Sequence, residues 1–492
     1  MHRNYERLSA LDASLLAIED RDAHMHIGGV TIFDAGPLWK PGGGIDIDAI
    51  REYVLSRLHL VPRYRQRLAW IPIERQPIWV DDERFNVHYH VRHTSLPQGS
   101  GERELKRLAG RIFSQALDRG KPLWEMWFVD GCGERRFAMI AKVHHCMVDG
   151  IAGMELMRHL LQPAPDAGLP PRAPWIALPP PGRERLLLDA ALRPARALAR
   201  DAWRALRAPN AALRAVTDAA IGLGESARAS LRPAPETPLN AEIGPHRRLD
   251  WLASDLDDLK QVRSRLGGTV NDVVLAVTAG AVRRFLEARH ARVSGLDFRV
   301  LCPVSTRPRN AAENATGNRV SLLVLPIPID ERDPRERLRR IVATTTSLKS
   351  SRQALVTPAA ETIAGWTWPG LVGLLARAAA GARRYNLLVT NIPGPREPAY
   401  LLGARQLQVF PAVPLFHGQS VAIGLLSYEK GLYWGFDSDW DAMPDLHELV
   451  LAVQAELEEI RSAAAREPGR AAPARRKTGA RRRSGPSPVA SR

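Results

Sequence analysis

A proline-rich segment, QPAPDAGLPPRAPWIALPPPG at residues 162–182, divides the 492-residue chain into two parts. Proline lacks a backbone N–H group and has a fixed φ angle, so this stretch can form neither a helix nor an inner strand. It is typical of an extended linker. The chain also exceeds the usual size of one hydrophobic core, and its 45% apolar residues suffice for two. We therefore expect two domains joined by this linker.

Each part of the chain alternates strand patterns with helix patterns. The predicted elements are strands at 26–34 and 135–145, helices at 102–118 and 150–161, a helix at 269–290 that begins near Thr269 or Asn271, strands at 298–305 and 318–329, and a hairpin of strands at 419–428 and 432–440. Both parts mix helices with sheet, so the expected fold class is α/β, of the mixed α+β kind.

The net charge of +16 is concentrated in two segments. Residues 172–233 carry +6 and residues 466–492 carry +8, which leaves only +2 for the rest of the chain. Neither segment interleaves aromatic and basic residues in the way that a base-stacking surface does. We therefore expect no specific nucleic-acid partner. The tail at 466–492 has no apolar periodicity and is expected to be disordered.

An apolar stripe and an arginine stripe run side by side after the linker. Their members recur every three or four residues and are Leu188, Leu192, Ala195, Ala199, Trp203 and Leu206 for the apolar stripe, and Arg193, Arg196, Arg200, Arg204 and Arg207 for the basic one. The pattern predicts a basic amphipathic helix. Such a helix either packs on the body of the protein or lies on an anionic membrane or lipid-droplet surface, and both interpretations stay open.

The cysteine content and the hydropathy of the chain indicate the cellular compartment in which it is expected. The three cysteines, Cys132, Cys146 and Cys302, are odd in number and far apart, which excludes a disulfide framework and a paired-cysteine metal site. The first twenty residues carry charges throughout, so they do not form a signal peptide. The most apolar later window, residues 365–384, is interrupted by a proline and an arginine. We expect a cytoplasmic protein without a membrane-spanning segment.

Two adjacent histidines lie at the end of the strand predicted at 135–145, in the motif HHCMVDG. If the strand extends through His145, the two imidazoles point to opposite faces of the sheet, and only one can face a given cleft. This argues against a metal site made of His144, His145 and Asp149, whose ligands would have to converge. Two interpretations remain: a pair of histidines bonded within the core, or a general base with a supporting neighbour.

The last two residues of the motif suit the turn that follows. A negative charge such as that of Asp149 is favoured at the N-terminus of the next helix, and Gly150 permits a sharp turn or a close backbone approach. HHxxxDG at the end of a strand resembles the signature of the coenzyme-A-dependent acyltransferase superfamily, which includes chloramphenicol acetyltransferase and the condensation domains of peptide synthetases.

Further segments resemble the bacterial wax ester synthase/diacylglycerol acyltransferase family. They follow the family's order over about residues 5–162 and 245–460, and leave out the linker and the basic tail. These segments are LSALDASLLAIED, MHIGGVTIFD, VPRYRQRL, KPLWEMWFVDG, HHCMVDGIAGMELM, TVNDVVLAV, PVSTR, GNRVSLLVLPIPID, TNIPGP and SYEKGLYWGFDSD.

The resemblance implies two chloramphenicol-acetyltransferase-like domains that form a pseudo-dimer around a central substrate channel. The domains would occupy residues 1–162 and 241–465, with the linker and basic helix at 163–240 and the tail at 466–492 outside them. Acyl-CoA would enter the channel from one side and the acceptor alcohol from the other. Acyl-CoA is then a co-substrate, and no cofactor or metal is expected.

The resemblance also implies roles for individual residues. His145 would be the general base that deprotonates the acceptor hydroxyl and returns the proton to the CoA sulfur, while His144 and Asp149 would support the site. A positioned base supplies only about 10²–10⁴-fold, so donors to the oxyanion must add to it. The candidates for oxyanion or substrate binding are Asn271 and Asp272, which match the family's Asn-Asp pair, and Ser305 and Thr306. For Asn271, a helix N-cap is an equal alternative.

Two further features have structural interpretations. Trp124, Trp127 and Phe128 are expected in the core, although the resemblance places their segment near the channel. Cys146 could be mistaken for a nucleophile, but the implied reaction needs no acyl-enzyme, so we expect this side chain to pack.

The expected function is transfer of a long-chain acyl group from acyl-CoA to diacylglycerol, to a long-chain alcohol, or to both, at a peripheral membrane or lipid-droplet surface. Two rival hypotheses belong to other classes: an amide-forming condensation-type acyltransferase, and a non-catalytic protein that binds lipid surfaces. The sequence leaves the choice of acceptor open.

Overall fold

The computed structural model describes residues 4–147, 155–165, 174–192, 233–305, 320–350 and 384–467, together with Trp203 and Arg207. Within these ranges the chain forms two mixed sheets of six strands each and a small antiparallel sheet of three strands, with helices packed against them. This is the mixed α/β architecture that the sequence predicts.

The first six-stranded sheet contains the strand that leads to the histidine motif. Its strands, in spatial order, are β12 (Tyr400–Leu401), β13 (Ala404–Ala412), β2 (His26–Asp34), β7 (Arg136–His144), β6 (Trp124–Asp130) and β5 (Val91–Ser95). All neighbours are antiparallel except β5 and β6. Along β7, Phe137, Met139 and Val143 pack on one face, whereas Ala138 and Ile140 pack on the other. Both faces of this strand are buried, which explains its nearly continuous apolar sequence.

The second six-stranded sheet is built from the later part of the chain. Its strands, in spatial order, are β10 (Val320–Pro326), β9 (Arg299–Ser305), β11 (Leu387–Ile392), β14 (Val421–Tyr428), β15 (Gly431–Asp439) and β8 (Arg247–Asp255). β11 runs parallel to both of its neighbours. β14 and β15 pair antiparallel from Tyr428 and Gly431 outward, which confirms the predicted hairpin.

The first sheet is completed by strands from the second part of the chain. β13 pairs with β2 from Arg405–Asp34 to Ala412–Gly28. The predicted boundaries assign residues 400–412 to the domain at 241–465, whereas their hydrogen bonds join them to the first sheet. Without this pairing, β2 would be an edge strand with unpaired backbone groups. β13 also lies against β15, because a Cβ atom at Gly435 would be 1.8 Å from the carbonyl oxygen of Pro411.

A third sheet supports the end of the linker. It consists of β1 (Glu6–Arg7), β4 (Pro77–Asp81) and β3 (Gln66–Trp70). Residues 174–182 form neither helix nor strand, as the proline content predicts, and a helical segment over 183–192 follows them. This segment packs on the small sheet through Leu186, which contacts a cluster that includes Ile71 and Ile78. Asp189 accepts a hydrogen bond from the Tyr5 hydroxyl at 2.6 Å.

The helices are α1 (Ala10–Ile18), α2 (Ile47–Arg57), α3 (Val87–His90), α4 (Glu102–Phe113), α5 (Glu155–Leu160), α6 (Leu256–Leu266), α7 (Val270–Ala288), α8 (Pro334–Ser350) and α9 (Leu446–Ala465). Among the residues described, no helix is both long enough and apolar enough to traverse a bilayer. The start of α7 is fixed by a capping box, in which the Thr269 hydroxyl accepts from the Asp272 N–H and the Asp272 carboxylate accepts from the Thr269 N–H. The alternative prediction that Asn271 is the N-cap is therefore wrong.

Candidate active site

The strand that carries the histidine motif ends one residue earlier than predicted. β7 ends at His144, and His145–Met147 form a 3₁₀ turn. The His145 N–H still donates to the carbonyl oxygen of Met25 at 2.8 Å, in register with the pairing of β2 and β7. The premise that the strand extends through His145 was therefore wrong. The two imidazoles still occupy different surroundings, because His144 is buried and His145 is partly exposed.

His144 is 1% exposed and points into a polar cluster beneath the sheet. Its Nδ1 accepts a hydrogen bond from the backbone N–H of Cys146 at 3.1 Å. Nδ1 must therefore carry a lone pair, so the proton of a neutral imidazole is on Nε2. Nε2 lies 3.3 Å from Oε2 of Glu19. His144 thus connects the turn at Cys146 to a carboxylate at the end of α1.

Glu19 is the C-cap residue of α1 and is almost buried. Its Oε2 accepts from Arg119 at 2.6 Å, and its Oε1 accepts from the Met25 N–H at 3.3 Å. Burial raises the pKa of this carboxyl, but its contacts with His144 and Arg119 outweigh burial and hold the pKa far below its usual value. The Glu19 side chain is therefore a buried carboxylate at neutral pH.

Further basic groups lie between this cluster and the C-terminus of α4. Lys142 donates to the carbonyl oxygens of Ile112 and Gln115 at 2.9 and 2.8 Å, and His24 Nε2 is 3.2 Å from that of Ser114. Cations are favoured at a helix C-terminus, where carbonyl groups lack partners within the helix. These carbonyl groups belong to the last turn of α4 and the residues just after it, and α4 ends at Phe113, five residues earlier than the sequence predicts. Burial lowers the pKa of Lys142 to about 8.

His145 has a less polar environment than His144. The ring is partly exposed, and its Nδ1 is buried without a hydrogen-bond partner in the part of the chain that the structure describes. Burial lowers the pKa of His145. The imidazole is therefore neutral at pH 7, the state in which histidine can accept a proton.

The remaining predicted site residues are placed as follows. Asp149, Gly150 and Thr306 lie outside the described residues, and Ser305 ends β9 with its side chain also outside them. Asn271, on the first turn of α7, accepts a hydrogen bond from the Asn391 amide at 2.6 Å. Asp272 is buried, where its carboxylate serves the cap of α7 and accepts from Thr345 at 2.8 Å. Asp272 thus has a structural task that Asn271 lacks.

The aromatic residues of the KPLWEMWFVDG segment occupy two environments. Trp124 and Phe128 are buried, which confirms the core prediction for both, and the Trp124 indole donates to the carbonyl oxygen of Tyr64 at 2.8 Å. Trp127 is only partly buried and lies beneath the guanidinium of Arg92, with 4.9 Å between the guanidinium carbon and the ring centroid. Trp124 also borders the cavity described below, so it contributes to both core and pocket.

Cys146 is buried, and burial raises the pKa of its thiol well above the ordinary value. A nucleophilic cysteine requires a thiolate, so this side chain packs, as predicted. In the residues that the structure describes, no three His, Cys, Asp or Glu side chains are arranged to hold a metal ion.

A cavity of about 300 Å³ lies on the face of the first sheet that Val143 shares. Its walls are mainly apolar and come from β7, β6, α5 and the loop after β11; they include Met126, Met139, Ala141, Met157, Leu161 and Pro398. Binding pockets for small molecules have volumes from about 300 Å³ upward and are mostly apolar. The cavity therefore suits an apolar ligand group, and it reaches β7 two residues before His145.

Glu19 and His24 received no role from the sequence, although Glu19 lies in a segment that carries the family resemblance and His24 directly precedes another. Their contacts with β7 and α4 join positions far apart in the chain, and a local pattern contains no signal for such contacts. The spacing of two histidines around Met25, at the start of an apolar strand, was the one available sign of a polar cluster.

The fold and the histidine motif define an acyltransferase of the chloramphenicol-acetyltransferase-like class. A wax ester synthase/diacylglycerol acyltransferase from Marinobacter aquaeolei VT8 superposes with a TM-score of 0.66 at 25% sequence identity, over 93% of this chain and 100% of that one. The first condensation domain of the calcium-dependent antibiotic synthetase superposes with a TM-score of 0.58 at 17% identity, over 95% of this chain and 97% of that one. The second similarity concerns the fold alone.

Sequence comparisons identify the family. Residues 8–274 match the wax ester synthase/diacylglycerol acyltransferase catalytic domain, and residues 316–461 match the C-terminal domain of the same family. The probable diacylglycerol O-acyltransferase tgs1 of Mycobacterium tuberculosis is 31% identical over 458 residues, which cover 91% of this chain and 94% of that protein. A putative diacylglycerol O-acyltransferase of the same organism, Rv1760, is 32% identical over 452 residues, or 90% and 87% of the two chains. The chain belongs to the wax ester synthase/diacylglycerol acyltransferase family.

Proposed function

We propose that this enzyme transfers a long-chain acyl group from acyl-CoA to the hydroxyl of diacylglycerol, of a long-chain alcohol, or of both, with His145 as the general base. The observation that carries the proposal is the neutral, partly exposed imidazole at the end of β7, two residues beyond an apolar cavity. The names of the mycobacterial relatives support diacylglycerol as acceptor, and that of the Marinobacter enzyme also supports an alcohol.

The proposed reaction balances without a metal or a cofactor. His145 accepts the proton of the acceptor hydroxyl while the hydroxyl oxygen bonds to the thioester carbonyl carbon. The tetrahedral oxyanion then collapses, the carbon–sulfur bond breaks, and His145 returns the proton to the CoA sulfur. The products are an ester and free CoA.

Asn271 is the described residue that best suits the oxyanion. Its Oδ1 is occupied by the Asn391 amide, so its own Nδ2 group is directed elsewhere and can donate. The side chain is exposed at the N-terminus of α7, where the helix dipole also favours negative charge. Asp272 is a poorer candidate, because its carboxylate is an acceptor already engaged in the cap.

The test is release of free CoA from palmitoyl-CoA by the purified full chain, offered dioleoylglycerol and hexadecanol in parallel. We expect release that depends on an acceptor and that falls by about 10²–10⁴-fold in His145→Ala. His88→Ala, which removes an exposed histidine on α3, is the matched control and should retain activity. Release without acceptor dependence, or full activity in His145→Ala, contradicts the proposal.

The same assay separates the rival hypotheses. Turnover with hexadecylamine but not with hexadecanol would indicate an amide-forming enzyme. Absence of turnover with every acceptor, in a folded protein that still sediments with lipid vesicles, would indicate a non-catalytic lipid-binding protein.

We also propose peripheral attachment to an anionic membrane or lipid-droplet surface through the helical segment at 183–192 and the arginine-rich sequence after it. Leu188 and Leu192 lie four residues apart, on one side of the helix, and are 61% and 39% exposed, while Leu186 packs on the small sheet. Ile176 and Trp203, on either side of this segment, are exposed as well. Exposed apolar residues beside arginines are the composition that surface-binding helices require.

Sedimentation with vesicles tests this attachment. We expect binding to phosphatidylglycerol-containing vesicles that weakens with salt and is lost in Leu188→Glu/Leu192→Glu, whereas Leu451→Glu, at an exposed position on α9, binds normally. Equal binding of the double variant and the wild type would place the attachment elsewhere.

A further inference from the structure

Glu19 has no part in the proposed proton transfer, yet its carboxylate contacts both chain segments that hold the histidine pair. One oxygen lies 3.3 Å from His144 Nε2, and the other accepts from the Met25 N–H. Met25 in turn accepts the His145 N–H through its carbonyl oxygen. A buried carboxylate is costly unless such contacts compensate for lost hydration, so its position here calls for a function.

The decisive contact is the hydrogen bond from the Cys146 N–H to His144 Nδ1. It exists only while Nδ1 is unprotonated, because an Nδ1–H group would meet a second donor. The carboxylate beside Nε2 favours the opposite nitrogen as the site of the proton. The chain of contacts therefore runs from Glu19 through the His144 ring to the backbone of the turn His145–Met147.

We propose that Glu19 is a positioning residue: it fixes the Nε2-protonated tautomer of His144, and His144 thereby fixes the turn that presents His145. The effect on catalysis rests on the proposed function of His145, whereas the tautomer itself does not. His144, the first histidine of the motif, thus acts as a cap for the turn. This explains in physical terms why the two histidines are adjacent.

Other charged groups near His144 do not replace Glu19. Arg119 binds the carboxylate itself, and Lys142 donates to carbonyl groups at the C-terminal end of α4. His26 stands edge-on to His144, with 6.4 Å between ring centroids, and its Nε2 is 3.9 Å from Glu19. Burial lowers the pKa of His26 well below its ordinary value, so His26 is neutral near pH 7. Glu19 is the carboxylate that meets His144 Nε2 in the described part of the chain.

The first experiment reads the tautomer directly. Two-bond ¹H–¹⁵N spectra of ¹⁵N-histidine-labelled full chain report which ring nitrogen carries the proton, and the signal of His144 is the one missing from His144→Asn. We expect the Nε2–H pattern in the wild type and its loss or mixture with Nδ1–H in Glu19→Leu. An Nδ1–H pattern in the wild type, or an unchanged pattern in Glu19→Leu, overturns the proposal.

The second experiment is a double-variant cycle on acyl transfer. In His144→Asn the side-chain oxygen takes the place of Nδ1 and accepts from Cys146 N–H without help from a carboxylate. We expect Glu19→Leu to lower kcat by about 10–100-fold with little change in KM. The reason is that a displacement of the His145 imidazole by about 1 Å can lower the rate by up to about 100-fold. In the His144→Asn background the same change should have a much smaller effect. Equal effects in both backgrounds contradict the proposal.

Controls separate positioning from folding. Asp20→Asn removes a neighbouring carboxylate that pairs with His417 at 2.8 Å on the surface, and it should leave kcat unchanged. If Glu19→Leu does not fold, Glu19→Gln replaces it, because glutamine has the same size but only one acceptor oxygen. We then expect an intermediate loss of kcat and a changed His144 signal. An unchanged signal overturns the proposal. If His145→Ala stays active, the proposed function fails while the spectra still decide the role of Glu19.

Discussion

The two histidines of the motif differ because the strand ends between them. His144 keeps the strand geometry; its Nδ1 accepts from the Cys146 N–H, and its Nε2 lies 3.3 Å from the Glu19 carboxylate. His145 begins the turn, and its Nδ1 has no partner among the residues described. The two adjacent imidazoles therefore differ in their surroundings, because the strand ends between them.

The pH dependence of the rate follows from the burial of His145. Because burial lowers the pKa of this histidine, the neutral base persists at pH values below the ordinary histidine pKa of about 6.5. We expect the acidic limb of kcat/KM for acyl transfer to have its midpoint below that value. A midpoint above it would contradict the assignment of His145 as a neutral, desolvated base.

The control for this profile concerns His90, which is buried and has a pKa lowered by burial to about 4. The His90 imidazole takes up a proton near pH 6.5 in the unfolded state and only near pH 4 in the folded state. The free energy of unfolding therefore falls as the pH decreases from 6.5 to 4. Each sample should therefore be returned to neutral pH and assayed again, so that reversible titration is distinguished from unfolding.

Removal of the Asn271 amide tests the proposed oxyanion donor. We expect Asn271→Ala to lower kcat by about 10²–10³-fold, the usual cost of losing one such donor, with a small effect on stability, because Thr269 rather than Asn271 caps α7. Asn391→Ala serves as a comparison, since it removes the hydrogen bond to Asn271 but leaves the Asn271 amide in place. We expect a smaller decrease of kcat in this variant. Equal activity of Asn271→Ala and the wild type would exclude this donor.

At the scale of elements, three helices of the second part are joined by one buried carboxylate. Glu456 on α9 is fully buried and binds Arg283 and Arg284 on α7 at 3.2 and 2.6 Å, and it also binds the buried Arg337 on α8. A Cβ atom at Gly280 would lie 2.1 Å from the Glu456 carboxylate, so the glycine allows the carboxylate to reach α7. The packing of α7, α8 and α9 therefore depends on a charge cluster as well as on apolar contacts.

The cost of neutralising this cluster can be measured. Glu456→Gln leaves the buried Arg337 guanidinium without its carboxylate partner, and we expect the free energy of unfolding to fall by about 3–5 kcal/mol. Glu459→Gln is the matched control, because Glu459 binds Arg284 at 2.6 Å on the surface, where a pair contributes about 1 kcal/mol or less. Chemical denaturation of both variants provides the comparison, and similar losses in the two would argue against the buried cluster.

Local patterns predicted the elements but not the contacts between them. The alternation in β2 and the hairpin β14–β15 were visible because one strand period is contained in a few residues. The turn at His145–Met147 was not visible, since the apolar pattern of β7 contains no signal for the residue at which the strand ends. For the same reason the sequence indicated His144 and His145 through their motif, whereas Glu19 became recognisable only through its distance from His144.

At the scale of the whole molecule, the two parts of the chain share one fold through β13. This strand completes the first sheet beside β2, and its Phe410 stacks on Trp251 of β8 with 5.1 Å between ring centroids. Tyr433 of β15 packs edge-on against the same ring at 5.5 Å. The apolar cluster around Phe410 thus contains residues of both six-stranded sheets. The two parts therefore share a sheet and an apolar cluster, although a linker separates them in sequence.

The position of β13 in the first sheet predicts that residues 1–240 cannot fold alone. A fragment of residues 1–240 would leave β2 as a nine-residue edge strand without β13, with apolar side chains on both faces, and we expect it to aggregate or to lack a cooperative unfolding transition. Co-expression with residues 241–492, which contain β13, should restore a soluble complex that unfolds in one transition. The measurement is calorimetry of the fragment and of the complex. A cooperatively folded 1–240 fragment would show that the first part of the chain is an independent domain, as the linker alone had suggested.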